Sequence, residues 1–173
     1  GEEPARRWDY RGLRKISQSV TAAVATGENL ADIKDFMPLF QNEALDVAQI
    51  GIGTSGITGM MKVADMAYGY EIPVSLMNSP VNYEAAAASA IPNHIMMEVF
   101  HDRDAGILET DSAIKDGYLI LGDNPGNGLL IDESSLAKLP MNPPPASNVL
   151  PPGRRRGAGL LEVSINETDS LDE

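Results

Sequence analysis

The 173-residue chain has no cysteine, which rules out a disulfide framework and any thiolate metal centre and fits the reducing cytoplasm. Aromatic residues make up only 5% of it while apolar residues reach 43%, so a core must be built from Ala, Val, Ile, Leu and the eight Met. Positive charge is also scarce. Thirteen Lys and Arg stand against 25 Asp and Glu, a formal charge of −12, and no nucleic-acid partner is expected because phosphate binding needs a cationic surface. No stretch approaches the roughly eighteen apolar residues of a membrane span. The opening GEEPARRWDY lacks the apolar segment of a secretory leader. The expectation is a cytoplasmic protein without a membrane partner.

What is present alternates between two periods. Tyr10, Leu13, Ile16 and Val20 recur at helical spacing behind Asp9, a cap. Residues 21–26 are small and β-branched, as in a strand buried on both faces. The spacing predicts a second helix over 30–41, with Asn29 as its cap and Leu30, Ile33, Phe36 or Met37, and Phe40 as its apolar stripe. Further strands are predicted over 45–50, 72–76 and 94–99. Helices are predicted over 57–70, with Ile57, Met60, Met61, Ala64 and Ala67 inward, and over the alanine-rich 83–90. A short strand over 118–121 and a last helix over 131–139 follow. Strand ends fall near Glu2, Glu28, Gly51, Met77 and Glu98, a period of about two dozen residues, the size of a strand-helix repeat. Strands alternating with helices imply a parallel sheet.

Between strand and helix, Gly51, Gly53 and Gly56 spell G-x-G-x-x-G, with Glu71 twenty positions after Gly51. This is either a dinucleotide fingerprint or a tight turn that glycines permit. Glu2 and Glu28 each end an apolar stretch at a turn, twenty-six residues apart. In one parallel barrel two such carboxylates emerge side by side on the carboxyl-end rim, where barrels hold their active sites. Paired oxygen donors there point to a divalent-metal site.

The ordered strings EEP, DYRGL, GEN, SGITG, IPVS, MMEV and DGYLILGDNPGNGLLID, with a Pro-rich segment through RRRGAGL, resemble the carboxyl-terminal half of the mandelate racemase branch of the enolase superfamily. The resemblance covers residues 1–163. It implies an α/β fold, the C-terminal portion of a TIM-type (β/α) barrel with barrel strands four to eight and an irregular Pro-rich tail. Residues 1–139 would be a partial barrel catalytic domain, 140–163 a Pro-rich wrapping segment and 164–173 a disordered acidic tail.

The resemblance also implies Mg²⁺, with Glu2 as the fourth-strand ligand and Glu28 as the fifth-strand ligand; the third-strand Asp would precede Gly1. Glu98 matches the eighth-strand glutamate that hydrogen-bonds the substrate carboxylate and, when protonated, stabilises the developing enediolate. Glu3 is read as structural, pointing away from Glu2.

The departures concern proton transfer. Racemases of the branch carry an Asp ending the sixth strand and a His ending the seventh; here those positions fall at Ile50 or Gly51 and at Met77 or Asn78. His94 begins its strand, at the far end from the site, and reads as a satisfied structural histidine; His101 lies beyond the strand. Asp46 is at the wrong end of its own strand to act as a base. One-base elimination therefore fits better than two-base racemisation, with a base from a Lys-x-Lys pair on the second strand of the family's barrel. Asn78 and Asn82 in NSPVNY are candidates to bind substrate hydroxyls in place of the missing His, the alternative being that they serve only the loop. The implied enzyme is a Mg²⁺-dependent lyase, a dehydratase of a sugar acid or other small carboxylate. The alternatives are an isomerase of the same superfamily (racemase, epimerase or cycloisomerase) and a truncated relative that keeps only the scaffold. The chain alone is expected to be inactive, and the full-length protein to be a homo-oligomer.

Overall fold

Four parallel strands stand in chain order in the computed structural model, which describes residues 1–54, 56–77, 84–99 and 107–138. They are β1 (Ala25–Thr26), β2 (Val47–Ile50), β3 (Val74–Leu76) and β4 (His94–Met97), in the order β1-β2-β3-β4. A bridge from Glu2 to Ala25, parallel as well, adds a fifth step at the β1 edge. Successive parallel strands without a reversal make an arc of a barrel rather than a dinucleotide fold with its switch point. The glycine-rich turn is also already engaged: the Ile52 N–H that a phosphate would need donates to the Glu84 carboxylate at 2.9 Å. The dinucleotide reading is set aside on both grounds.

The helices cover one face. They are α1 (Tyr10–Ser17), α2 (Ile33–Gln41), α3 (Gly56–Gly69) and the short α4 (Ala85–Ala88). Asp9 caps α1, accepting from the Gly12 N–H at 2.9 Å. Leu13, Phe36, Leu39, Phe40, Met60, Val63, Ala64 and Ala67 carry the helix side of the core. Each of the Leu, Phe, Met and Val side chains withdrawn from water contributes about 1.5–3 kcal/mol, and each Ala less. Phe36 and Phe40 lie 6.1 Å apart by ring centroid, and Tyr70 stacks on Phe40 at 5.6 Å.

Several boundaries differ from the sequence pattern, each for a local reason. The first strand shrinks to Ala25–Thr26 because Asp46 takes the Val24 N–H at 2.7 Å and the Ser17 hydroxyl at 3.0 Å. That confirms Asp46 in a structural position. Helix α2 starts at Ile33 with Asp32 as its cap, accepting from Lys34 N at 3.4 Å, so Asn29 is left for another role. Val20 and Ile57, expected inside, are 48% and 46% exposed: α1 ends before Val20, and Ile57 lies on the outer side of the first turn of α3.

Beyond β4 the chain forms β5 (Leu108–Thr110), β6 (Ala113–Lys115), β7 (Tyr118–Ile120) and β8 (Leu129–Ile131), then α5 (Glu133–Leu136). β6 and β7 are a hairpin whose Asp116-Gly117 turn has both φ angles positive, 53° and 80°, the combination a two-residue hairpin favours. β8 pairs antiparallel with β5, which is why Ile131, expected to open the last helix, ends a strand and α5 begins only at Glu133. Residues 1–136 form one compact unit. The expected Pro-rich and acidic segments, 140–163 and 164–173, lie outside the described residues.

Candidate active site

The register of the sheet sorts its side chains into two faces. The rows Glu2-Ala25-Val47 and Gln49-Ser75-Met96 alternate with Thr26-Ala48-Val74 and Ile50-Leu76-Met97, and alternate rows point to opposite sides. The second set lies under the helices. The first set forms the opposite, polar face, and Met77 and Glu98 extend it beyond the ends of β3 and β4. Glu98 is held in line by its N–H, which donates to Leu76 O at 2.8 Å.

Glu28 follows β1 after one residue. That residue is Gly27, at φ +128°, and a Cβ there would stand 2.6 Å from Gln49 O and 2.7 Å from Phe36 Cε1. Only glycine fits such a turn, so the chain can leave β1 at once and bring Glu28 to the rim. Asn29 then ties it down: its amide donates to Glu28 Oε1 at 3.1 Å and to Glu3 Oε2 at 2.9 Å. Partial burial raises the Glu28 carboxyl above its ordinary value, and the charges of Glu3, Glu2 and Glu98 raise it further, against a smaller opposing effect of Asn29. All four carboxylates therefore act on one region. Among the described residues no three Asp, Glu or His converge closely enough to hold a metal by themselves.

Glu2, Glu28 and Glu98 all stand at the carboxyl ends of their strands, as the sequence spacing required. Asn78, Asn82 and His101 lie outside the described residues. Glu3 needs correction: with φ +39° it leaves the extended conformation and reaches Asn29 beside Glu28 instead of pointing away. His94 begins β4 as expected and is satisfied on one side only: the imidazole hydrogen-bonds the Met96 backbone while its Nε2 is buried without a hydrogen bond, and burial pushes its pKa down. Ile50 is fully buried, and Met77 is 8% exposed, so no titratable group stands at the ends of β2 and β3.

Two residues were missed by the sequence reading. Gln49 is 4% exposed and donates from Nε2 to Glu2 Oε1 at 2.5 Å; it was hidden inside the apolar run of β2, where only its alternate position could have marked it. Glu84, wholly buried at the start of α4, has a pKa raised to about 7 by desolvation. An acidic residue opening an alanine-rich helix carries no signal of burial.

Residues 1–135 match the family model described as enolase C-terminal domain-like. The chain belongs to that family. Its match is to the carboxyl-terminal portion of the mandelate racemase branch. This enolase-family chain is 31% identical over 140 residues to a D-xylonate dehydratase of Haloferax volcanii, a match covering 76% of the chain and 34% of that protein. It is 33% identical over 143 residues to a D-galactonate dehydratase family member of Chromohalobacter salexigens, covering 76% and 35%. A racemase from Streptomyces coelicolor A3(2), solved with bound magnesium, superposes with a TM-score of 0.70 at 25% identity, covering 80% of this chain and 38% of that one. The chain thus spans about a third of the length of the curated relatives it matches. Among the described residues no helix is long and apolar enough to cross a membrane.

Proposed function

We propose that this chain is the metal- and substrate-binding side of an enolase-superfamily dehydratase acting on a sugar acid or similar hydroxy acid. The observation that carries the proposal is the placement of Glu2 and Glu28 on neighbouring strands at one rim, with Glu98 on the same face at the other end of the sheet. The residues present fit Mg²⁺. Glu2 and Glu28 would hold it, because carboxylate oxygens are the hard donors it takes and it keeps several positions for water and substrate oxygens. Beyond its partial burial, Glu28 feels the negative charges of Glu3, Glu2 and Glu98, a repulsion that a bound divalent cation would relieve. When bound, Mg²⁺ supplies positive charge beside the substrate carboxylate as electron density builds there.

The remaining roles fall to this chain's own groups. Glu98, in its acid form, would donate a hydrogen bond to the substrate carboxylate and fix its orientation, and Asn78 and Asn82 would hold hydroxyls. The α C–H bond breaks with its proton passing to a general base, and its electron pair expels the β-hydroxyl, which takes a proton back from the protonated base and leaves as water. That base stands on another strand, because Ile50, Gly51 and Met77 occupy the strand ends where the family's Asp and His would be. The same residues favour one-base elimination over two-base racemisation. They also support a second reading, a relative that keeps the scaffold without the chemistry.

Calorimetric titration of Mg²⁺ into the chain and into Glu28→Gln tests the metal reading. Cation binding by the chain, weakened at least tenfold in the variant, is the expected result. Equal affinity in both would remove Glu28 from the site, and no binding in either would favour the scaffold reading.

A further inference from the structure

A buried amide lies beneath the rim. Gln49 is 96% withdrawn from solvent, the complement of its 4% exposure, on a strand whose neighbours Ala48 and Ile50 are wholly buried and apolar. Its Nε2 makes the 2.5 Å bond to Glu2 and a longer contact to Met77 Sδ at 3.5 Å. The carboxylate is an acceptor only, so the nitrogen must be the atom facing it. The other end of the amide, Oε1, is buried without a hydrogen-bond partner. Burying an amide with one end unmatched works against folding, and an apolar side chain of equal volume would avoid that cost. Gln49 is therefore a poor choice for stability, and its one strong bond goes to Glu2.

We infer that Gln49 is a positioning residue: it fixes the orientation of the Glu2 carboxylate on the polar face so that the other oxygen stays available to a divalent cation. The inference rests on the metal reading of Glu2 and Glu28 and deepens it. Hydrogen bonds from outside the ligand shell that orient ligating carboxylates typically change metal affinity by roughly 10–100-fold when removed. The donor here is neutral, which matters beside Glu2, Glu3, Glu28 and Glu98, because a carboxylate in its place would add to the repulsion.

The test is Mn²⁺ affinity, read by electron paramagnetic resonance, for the full chain and for Gln49→Met, Gln49→Leu and Glu28→Gln, alongside cation-free denaturation of each. Methionine keeps the length and volume of glutamine and removes both the donor and the unmatched oxygen. The expected result is a dissociation constant about tenfold higher in Gln49→Met with cation-free stability unchanged or greater. A merely structural role gives the opposite pattern, lost stability with unchanged affinity, and overturns the inference. If Gln49→Met does not fold, Gln49→Leu is judged by the same pair of readings. Wild-type affinity in both Gln49 variants but not in Glu28→Gln would sink the positioning role and leave the metal reading standing. Failure of the wild-type chain to bind Mn²⁺ would sink both.

Discussion

The two faces of one four-stranded sheet differ in nearly every respect. On the helix side Val24, Thr26, Ala48, Ile50, Val74 and Leu76 are all 1% exposed or less, and all but Thr26 are apolar. On the other side the same strands present Glu2, Gln49, Ser75, Met77, Met96 and Glu98, with Met96 59% exposed. Alternation along each strand assigns adjacent residues to opposite tasks. The covered face supplies the free energy of folding, and the polar face can then hold crowded carboxylates and an unmatched amide at a net cost. The carboxyl-end rim sits where both meet, at Gly27, squeezed between the Phe36 ring and the Gln49 carbonyl.

The sharpest way to break this division is on the covered side. Phe36 is wholly buried and packs against both Phe40 and the Gly27 turn, so Phe36→Ala should cost about 3–5 kcal/mol by urea denaturation. A loss below about 1 kcal/mol would mean that the helix face is not the source of stability.

Glu84 provides a graded test, because it is an acid buried within the layer that should be apolar. Its carboxyl titrates at about 7 in the folded chain against an ordinary 4.5, so the folded state holds the proton more tightly than the unfolded one. Its contribution to stability is therefore present at low pH and is lost as pH rises from about 4.5 through 7. Glu84→Gln should stabilise the chain by on the order of 2 kcal/mol at pH 8 and by nothing at pH 4. Half-buried His94 shifts the other way and loses stability as pH falls below its ordinary value, but it is common to both proteins and cancels in the difference. A wild-type minus variant difference that does not change with pH would refute the assignment.

The smallest effect belongs to the polar face. Glu28 is likewise raised, so the same sign applies: its repulsion with Glu3, Glu2 and Glu98 is absent at low pH and grows as pH rises. Without cation, Glu28→Gln should gain under about 1 kcal/mol at neutral pH, the scale of a partly exposed charge interaction, and should gain nothing at pH 3. A loss of stability at neutral pH would show that Glu28 has a structural role. The same substitution is expected to weaken cation binding, so stability and binding should move in opposite directions here.

Much of this could be read from residue order. The repeat of strand ends located Glu2, Glu28, Gly51, Met77 and Glu98 at the tips of successive parallel strands, because a period of two between buried and exposed positions and a period near four in the helices leave few other arrangements. Helix and strand limits were read less well where a side chain intervened. Asp46 capturing the Val24 N–H, and Asn29 bridging Glu3 and Glu28, are long-range choices between backbone and side-chain partners that no local pattern encodes.

The sequence by itself determined the alternation, the parallel order, the family and the rim positions of the glutamates, since these follow from periodicity and from short motifs in fixed order. Only the tertiary structure decided which groups act on one another. Gln49 reaches Glu2 across 47 positions of chain, and Glu84 reaches Ile52 across 32. Electrostatics and hydrogen bonding depend on distance in space and on exclusion of water, and neither exists until the helices have closed over the opposite face.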